Sequence, residues 1–313
     1  MLGLKDVSAM NSYHPKKNLP FRPIKNLDFP SEVQIQTHTV CNARCIMCPY
    51  PFVYKQISHG RMVPGLFRRL IDECAHYANA IKDLKLFLMN EPLMDPRLPD
   101  FIRYARERLP KVNIGFSTNG LLLEGQIANE LLDSGINEIW INFNGNKKET
   151  YETIMKGLSF ERVKRNIISF KKHIDQKKLK IRLFISTVET KTVLNEIKDS
   201  SPFWAQYGID VVTTPLNNRG GNLQSEKLKI LKKIKNHRIC NRPFYKMYIT
   251  YNGNVILCSS DWKRETIIGN VIKEGIYGVW HNKNQKQIRE WLLKQNLDKL
   301  SLCRNCDYTA IYK

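Results

Sequence analysis

The sequence predicts an α/β fold, in which an open, partial (β/α)6 barrel of the TIM type is followed by a small C-terminal domain. The first observation is a series of short apolar strands between residues 32 and 216, each followed by a helical pattern or a loop. Repeated βα units form parallel strands joined by right-handed crossovers. Six units are too few for the usual eight-stranded barrel, so we expect the sheet to stay open. The second observation is a break in this pattern after residue 216.

The strands are predicted, in chain order, within EVQIQTHTV, DLKLFLMN, VNIGFSTNG, INEIWINFNG, LKIRLFISTV and IDVVTTPL. The helices between them are predicted within PGLFRRLIDECAHYA, RLPDFIRYARERL, EGQIANELLDSG, SFERVKRNIISFKKHI and NEIKDSSPFWAQYG. Ligands of such sheets bind at the carboxyl ends of the strands. The motifs described below lie at those ends.

The C-terminal part of the chain is predicted to form a separate small domain. The segment YKMYITYNGNVILCSS contains two strands around an Asn-Gly turn, which indicates a hairpin. We therefore expect four parts: an N-terminal extension at 1–31, the barrel at 32–216, a linker with a lysine-rich helix at 217–239, and the small domain at 240–313.

Composition is that of a globular protein, with 42% hydrophobic and 25% charged residues. The N-terminus lacks the features of a secretion signal and no run of 18 apolar residues occurs, so we expect a cytoplasmic protein without a membrane partner. Eight cysteines in such a protein indicate metal or redox chemistry rather than disulfides. The net charge of +21 suits an anionic substrate, an acidic partner or nucleic acid, but lysines that solvate helix faces are the favoured explanation.

The most informative motif is VCNARCIMCPY, in which Cys41, Cys45 and Cys48 form a C-x3-C-x2-C triplet after the first predicted strand. A structural zinc site uses four protein ligands, and a catalytic zinc commonly includes His or a carboxylate. In a [4Fe–4S] cluster, three cysteines leave one iron open to another ligand. The triplet alone is compatible with either metal centre.

Together with later motifs, the triplet resembles the radical S-adenosylmethionine (SAM) enzyme family. LMNEPLMDP resembles the family's second-strand turn, which meets the SAM amino group, although Asn stands where Gly is usual. STNG resembles the third-strand turn near SAM, and INFNGN resembles the strand that meets the ribose. The residues that the resemblance places around SAM are Met47, Asn90, Glu91, Ser117, Asn119 and Asn142. The alternative for the polar ones is ordinary turn and cap chemistry.

The resemblance implies a [4Fe–4S] cluster on the three cysteines, with SAM chelating the open iron. One electron then cleaves SAM to methionine and a 5′-deoxyadenosyl radical, which abstracts a hydrogen atom from an unactivated C–H bond of the substrate. An electron donor such as flavodoxin or ferredoxin is implied as a partner.

A second set of cysteines, in the C-terminal segment, consists of Cys240, Cys258, Cys303 and Cys306. Four thiolates close a metal site to substrate, as in structural zinc or an electron-transfer cluster. The hairpin and the cysteine spacing resemble the shortened "twitch" form of the SPASM auxiliary domain. That resemblance implies an auxiliary [4Fe–4S] cluster bound by these four cysteines.

A closed cluster beside a radical site implies an oxidoreductase, in which the substrate radical loses an electron to the auxiliary cluster. The expected reaction is dehydrogenation of a small alcohol of the carbohydrate or aminocyclitol type. Arg219, in PLNNRGG after the last barrel strand, is predicted to orient a substrate oxygen as the catalytic residue. The alternative is a loop arginine that faces water.

Three other functions remain open. A radical SAM epimerase returns a hydrogen atom, typically from a spare cysteine, but the helical spacing around Cys74 favours packing. A peptide (RiPP) maturase often carries an N-terminal leader-binding domain, for which the first 30 residues are too short, although a separate partner could supply it. A zinc-stabilised nucleic-acid-binding protein would explain the charge but not the ordered SAM-like motifs.

Overall fold

The computed structural model describes residues 27–223, 228 and 240–307. Most of the predicted N-terminal extension and of the lysine-rich helix lies outside these residues. Within them, a sheet of nine strands has the order β6-β5-β4-β3-β2-β1-β7-β8-β9. The strands are β1 (Glu32–Ile35), β2 (Asp83–Lys85), β3 (Asn113–Thr118), β4 (Glu138–Asn142), β5 (Arg182–Glu189), β6 (Asp210–Pro215), β7 (Lys246–Ile249), β8 (Asn254–Ile256) and β9 (Ile267–Asn270).

Strands β1 to β6 pair in parallel in sequence order, which confirms the predicted open barrel. Helices follow most strands, as right-handed βα units require. The helices are α1 (Tyr50–Val53), α2 (Pro64–His76), α3 (Leu98–Arg108), α4 (Gly125–Leu132), α5 (Lys148–Ile154), α6 (Phe160–Gln176), α7 (Ile197–Ala205), α8 (Arg242–Tyr245), α9 (Val271–His281), α10 (Lys283–Leu293) and α11 (Ser301–Arg304). No helix within the described ranges is long and apolar enough to cross a membrane.

The predicted hairpin is present, but its first strand also extends the barrel sheet. β7 and β8 pair antiparallel, and Gly253 in the turn between them has φ of 82°. β7 pairs in parallel with β1, with Val33 opposite Met247. The ion pair from Lys246 Nζ to Glu32 (2.7 Å) fixes the start of this pairing. The barrel and the C-terminal segment therefore share one continuous sheet.

The first predicted strand is shorter in the structure than in the sequence pattern. β1 ends at Ile35, and the chain beyond it pairs with a later segment, since Met62 N donates to Thr37 O (2.7 Å). The side chains of Thr37, His38 and Thr39 are nevertheless buried. These polar residues lead from the sheet into the three-cysteine loop.

Four residues paired across neighbouring strands of the sheet form a network of ion pairs around a glycine. Lys85, Gly115, Glu138 and Arg182 lie opposite one another on β2, β3, β4 and β5. Lys85 Nζ reaches across Gly115 to Glu138 (2.5 Å), and Arg182 reaches the same carboxylate (2.7 Å). Burial raises the pKa of Glu138, but the Lys85 ammonium outweighs this and holds the pKa below its ordinary value. The missing side chain at Gly115 makes room for the ion pair.

Gly115→Ala is expected to lower the free energy of unfolding by about 1 to 3 kcal/mol, as overpacking does. The added Cβ would lie 2.6 Å from Glu138 Cγ and 2.7 Å from the Glu138 carbonyl oxygen, which belongs to the backbone and cannot yield. The matched control is Gly65→Ala in α2, where no atom lies within 4 Å of the new Cβ. Urea unfolding midpoints test the pair, and equal midpoints for the two variants would contradict the expectation.

Candidate active site

The three-cysteine loop follows β1 and is held by backbone hydrogen bonds. Cys41, Cys45 and Cys48 are half-buried free thiols. Cys41 N donates to the hydroxyl of Tyr50 (2.9 Å), and Cys48 N donates to Cys45 O (3.1 Å). On the other side, Ile46 N donates to the carbonyl of residue 154 at the end of α5 (3.0 Å). The loop thus has a fixed shape that brings the three thiols to one place.

The electrostatics of these thiols indicate what they can hold. Burial raises the pKa of Cys41 to about 12 and that of Cys45 further, and the neighbouring thiolates act in the same direction. Each thiolate is therefore close enough to repel the others, and a cationic group would relieve that repulsion. Among the described residues, no three His, Cys, Asp or Glu side chains are gathered as ligands of a single metal ion. Three thiols without an imidazole fit an iron–sulfur cluster as a donor set.

Glu91 joins the turns after β2 and β3. Its buried carboxylate accepts hydrogen bonds from Leu93 N (3.1 Å), Thr118 Oγ1 (2.6 Å) and Asn119 N (2.7 Å). Burial raises the pKa of Glu91 to about 7, although these hydrogen bonds oppose the shift. Both carboxylate oxygens are thus used inside the protein. In this structure Glu91 holds the predicted SAM turns together.

His38 fixes the same turn to the start of the cysteine loop. Its Nδ1 accepts from Val40 N (3.2 Å), so its Nε2 carries the proton and donates to Glu91 O (2.9 Å). Burial lowers the pKa of His38, which favours this neutral form. Glu91 N in turn donates to Val40 O (3.0 Å). The loop after β1 and the turn after β2 are therefore joined by two hydrogen bonds, and a third, within the loop, orients the His38 ring.

The structure brings other predicted SAM residues to the same end of the sheet. Asn119 Nδ2 donates to Asn42 Oδ1 in the cysteine loop (2.7 Å). Asn142 on β4 donates to Ser117 Oγ on β3 (2.9 Å). Met47, within the cysteine loop, is buried in the main core. Their contacts with SAM remain predictions.

The side-chain amide of Asn90 has a donor without a hydrogen-bond partner among the described residues. Its Oδ1 accepts from Leu88 N (2.8 Å), whereas its Nδ2 is buried and has no hydrogen-bond partner within the described part of the chain. Met89 before it takes a left-handed backbone conformation (φ 56°), which is uncommon for a residue other than glycine. An unsatisfied buried donor next to a strained residue marks a place where a ligand would complete the structure.

The second cysteine set is also gathered by the fold. Cys240 precedes α8, Cys258 follows β8, and Cys303 and Cys306 lie in and after α11. All four are half-buried free thiols. The charges of Cys258 and Cys306 act on Cys240, and those of Cys240, Cys258 and Cys306 act on Cys303. Burial raises the pKa of Cys240 to about 11. Among the described residues, these thiols lie close enough to interact but do not converge on a single metal ion, so they fit an iron–sulfur cluster as a donor set.

Arg219 lies between the two cysteine sets. Burial lowers the pKa of Arg219, while the thiolates of Cys48 and Cys258 oppose that shift. The guanidinium therefore interacts electrostatically with one cysteine of each set. It is half-buried and its backbone is left-handed (φ 53°). The turn is held by Asp307 Oδ1, which accepts from Asn218 N (2.7 Å). The predicted contact of Arg219 with a substrate oxygen remains a prediction.

Trp262 is a residue that the sequence analysis missed. It forms a buried cluster with Tyr50 and Val53, against which Cys41 and Cys48 pack, although it lies four residues after Cys258. The segment that follows Cys258 in the second cysteine set therefore lies beside the first cysteine set. The sequence feature that could have indicated this role is the tryptophan of SSDW, the four residues that follow the predicted ligand Cys258.

Comparison with known proteins agrees with this geometry. The family model described as the Radical SAM superfamily matches residues 35–199, and the SPASM model, described as an iron-sulfur cluster-binding domain, matches residues 240–307. These matches confirm the predicted cofactors: SAM, a [4Fe–4S] cluster and an auxiliary iron–sulfur cluster.

Two curated proteins are similar in sequence. The S-adenosyl-L-methionine-dependent 2-deoxy-scyllo-inosamine dehydrogenase of Niallia circulans is 22% identical over 281 residues, which cover 90% of this chain and 94% of that protein. The tungsten-containing aldehyde ferredoxin oxidoreductase cofactor-modifying protein of Pyrococcus furiosus is 25% identical over 182 residues, which cover 55% of this chain and 47% of that protein.

Solved structures share the fold. BtrN in complex with AdoMet and 2-DOIA has a TM-score of 0.64 at 22% identity, over 90% of this chain and 94% of BtrN. Streptococcus suis SuiB bound to its precursor peptide SuiA has a TM-score of 0.66 at 15% identity, over 84% of this chain and 67% of SuiB. With a family match over more than half of its length, this chain belongs to the radical SAM superfamily.

Proposed function

We propose that this protein is a radical SAM dehydrogenase that oxidises a carbinol carbon of a carbohydrate or aminocyclitol-type substrate. The observation that carries the proposal is the position of Arg219, whose guanidinium interacts electrostatically with Cys48 and with Cys258. A radical-generating centre and an electron-accepting centre then flank one polar residue. Such an arrangement suits a reaction that removes first a hydrogen atom and then an electron.

The seven cysteines would bind two iron–sulfur clusters with different roles. Cys41, Cys45 and Cys48 would hold the SAM-binding [4Fe–4S] cluster, and the auxiliary cluster would be held by Cys240, Cys258, Cys303 and Cys306. When bound, these groups supply a 5′-deoxyadenosyl radical that takes the carbinol hydrogen atom and an acceptor for one electron, so that loss of the hydroxyl proton to solvent leaves a ketone.

The residues at the ends of β2, β3 and β4 would bind and orient SAM. Because an amide N–H donates, the spare Nδ2 of Asn90 suits the SAM carboxylate rather than its amino group. Asn142 and Ser117 would meet the ribose, and Met47 the adenine. Glu91 and Asn119 would hold these turns in place through the hydrogen bonds described above.

Arg219 would act on the substrate. A guanidinium stays charged at neutral pH and donates, so it can bind the substrate hydroxyl and stabilise negative charge on that oxygen as its proton leaves. Trp262 would help to exclude water from the radical, because it belongs to the buried cluster against which Cys41 and Cys48 pack.

The alternatives are less well supported. Cys74, the spare cysteine, is fully buried in the main core, where it packs as predicted and cannot return hydrogen to a substrate. An epimerase would need another donor. A peptide maturase is favoured by the fold shared with SuiB, but the sequence identity is 15% to SuiB and 22% to the inosamine dehydrogenase.

Partners follow from the same chemistry. An electron donor of the flavodoxin or ferredoxin type would reduce the first cluster, in the cytoplasm, and the net charge of +21 would favour such an acidic protein. Nucleic acid is not a proposed partner, since both cysteine segments match iron–sulfur families.

Anaerobic turnover of aminocyclitols, beginning with 2-deoxy-scyllo-inosamine, tests the proposal in D2O. We expect 5′-deoxyadenosine and a ketone in equal amounts, without deuterium at the substrate carbon. Cys258→Ala should still form 5′-deoxyadenosine but little ketone, and Cys74→Ala should resemble the wild type in both products. Deuterium at the substrate carbon without net oxidation would instead establish epimerisation.

Arg219→Asn is expected to lower ketone formation by at least about tenfold, the effect of losing a charged hydrogen bond, while 5′-deoxyadenosine formation persists. Asparagine tolerates the left-handed backbone of this position, so the turn should survive. The matched control is Lys178→Asn, another left-handed cationic residue (φ 52°) that is exposed. Unchanged ketone formation in Arg219→Asn would exclude it from the reaction.

A further inference from the structure

The sulfur of Cys258 accepts hydrogen bonds from two N–H donors. Arg242 Nη1 lies 3.3 Å from Cys258 Sγ, and Ser260 N lies 3.4 Å from the same atom. A guanidinium and a backbone amide therefore both donate to the sulfur of Cys258.

Both donors are held in place by the fold. Arg242 begins α8, whose Pro243 carbonyl accepts from Gln285 Nε2 (2.7 Å) and Arg289 Nε (3.0 Å) on α10. The Ser260 amide lies in a turn closed by Asp261 N donating to Cys258 O (3.0 Å). The donors are therefore aimed at the sulfur before any cluster binds.

Hydrogen bonds to a ligand sulfur and a nearby positive charge stabilise the reduced state of an iron–sulfur cluster, which carries one more negative charge than the oxidised state. Each therefore raises the reduction potential. A cluster with a higher potential is a better acceptor for an electron from a substrate radical.

We propose that Arg242, together with the Ser260 amide, raises the reduction potential of the auxiliary cluster through hydrogen bonds to Cys258 Sγ. The inference rests on the proposed function in one respect, that Cys240, Cys258, Cys303 and Cys306 hold that cluster. It assigns Arg242 a role as a residue that tunes the acceptor without contacting the substrate.

The test is a redox titration followed by electron paramagnetic resonance (EPR), in a protein whose Cys41, Cys45 and Cys48 are all alanine. Only the auxiliary signal then remains. Arg242→Met should lower the ratio of reduced to oxidised cluster at a fixed potential by about tenfold, equal to about 59 mV for one electron. The control is Lys263→Met, which removes an exposed charge five residues after Cys258 and should shift the ratio by less than about twofold, because solvent screens it.

A second reading isolates the hydrogen bond itself. With 15N in the arginine guanidinium groups, pulsed EPR of the reduced cluster should show a nitrogen coupling that Arg242→Met abolishes and Lys263→Met retains. If Arg242→Met does not hold a cluster, Arg242→Lys, which keeps the charge but not the guanidinium, should still lower the potential and abolish the coupling.

The outcomes separate the two proposals. An auxiliary signal with an unchanged potential in the Arg242 variants would overturn the tuning role and leave the proposed function intact. A protein without any auxiliary iron–sulfur signal, before Arg242 is altered, would overturn both.

Discussion

The buried carboxylate of Glu91 is the constraint on which the site depends. It fixes the turn after β2 to the turn after β3 through Thr118 and Asn119, while its backbone is joined to the cysteine loop through His38 and Val40. A buried carboxylate costs free energy unless its oxygens are hydrogen-bonded. The hydrogen bonds that satisfy the carboxylate join two turns, and those of the Glu91 backbone add the cysteine loop, so the polar residues predicted to bind SAM are held in place by the protein itself.

The continuous sheet gives the second constraint. Since β7 pairs with β1, the hairpin that carries Cys258 is attached to the strand that leads into Cys41. The charges of one cysteine from each set, Cys48 and Cys258, act on Arg219. Transfer of an electron from substrate to the auxiliary cluster needs such a fixed arrangement, and the donors to Cys258 would make the acceptor more favourable.

The α/β class, the open barrel and both cysteine sets were predictable because βα periodicity and ligand spacing are local in the sequence. The pairing of β7 with β1 was not, because it joins residues about 214 positions apart, as the contact of Glu32 with Lys246 shows. The hydrogen bonding of the Glu91 carboxylate inside the protein depends on the register of β2 and β3, and the clustering of Trp262 with Tyr50 depends on the whole fold. The predicted roles of Asn90 and Asn142 remain predictions.

The central claim is that one cysteine set holds a cluster open to SAM and the other holds a closed one. Its most direct test is iron analysis and EPR of the anaerobically purified protein, with and without SAM. The account predicts about eight irons, as for two cubane clusters, a signal that changes with SAM, and loss of that response when Cys41, Cys45 and Cys48 are replaced by alanine. A colourless zinc protein, or a remaining cluster that still responds to SAM in that variant, would contradict it.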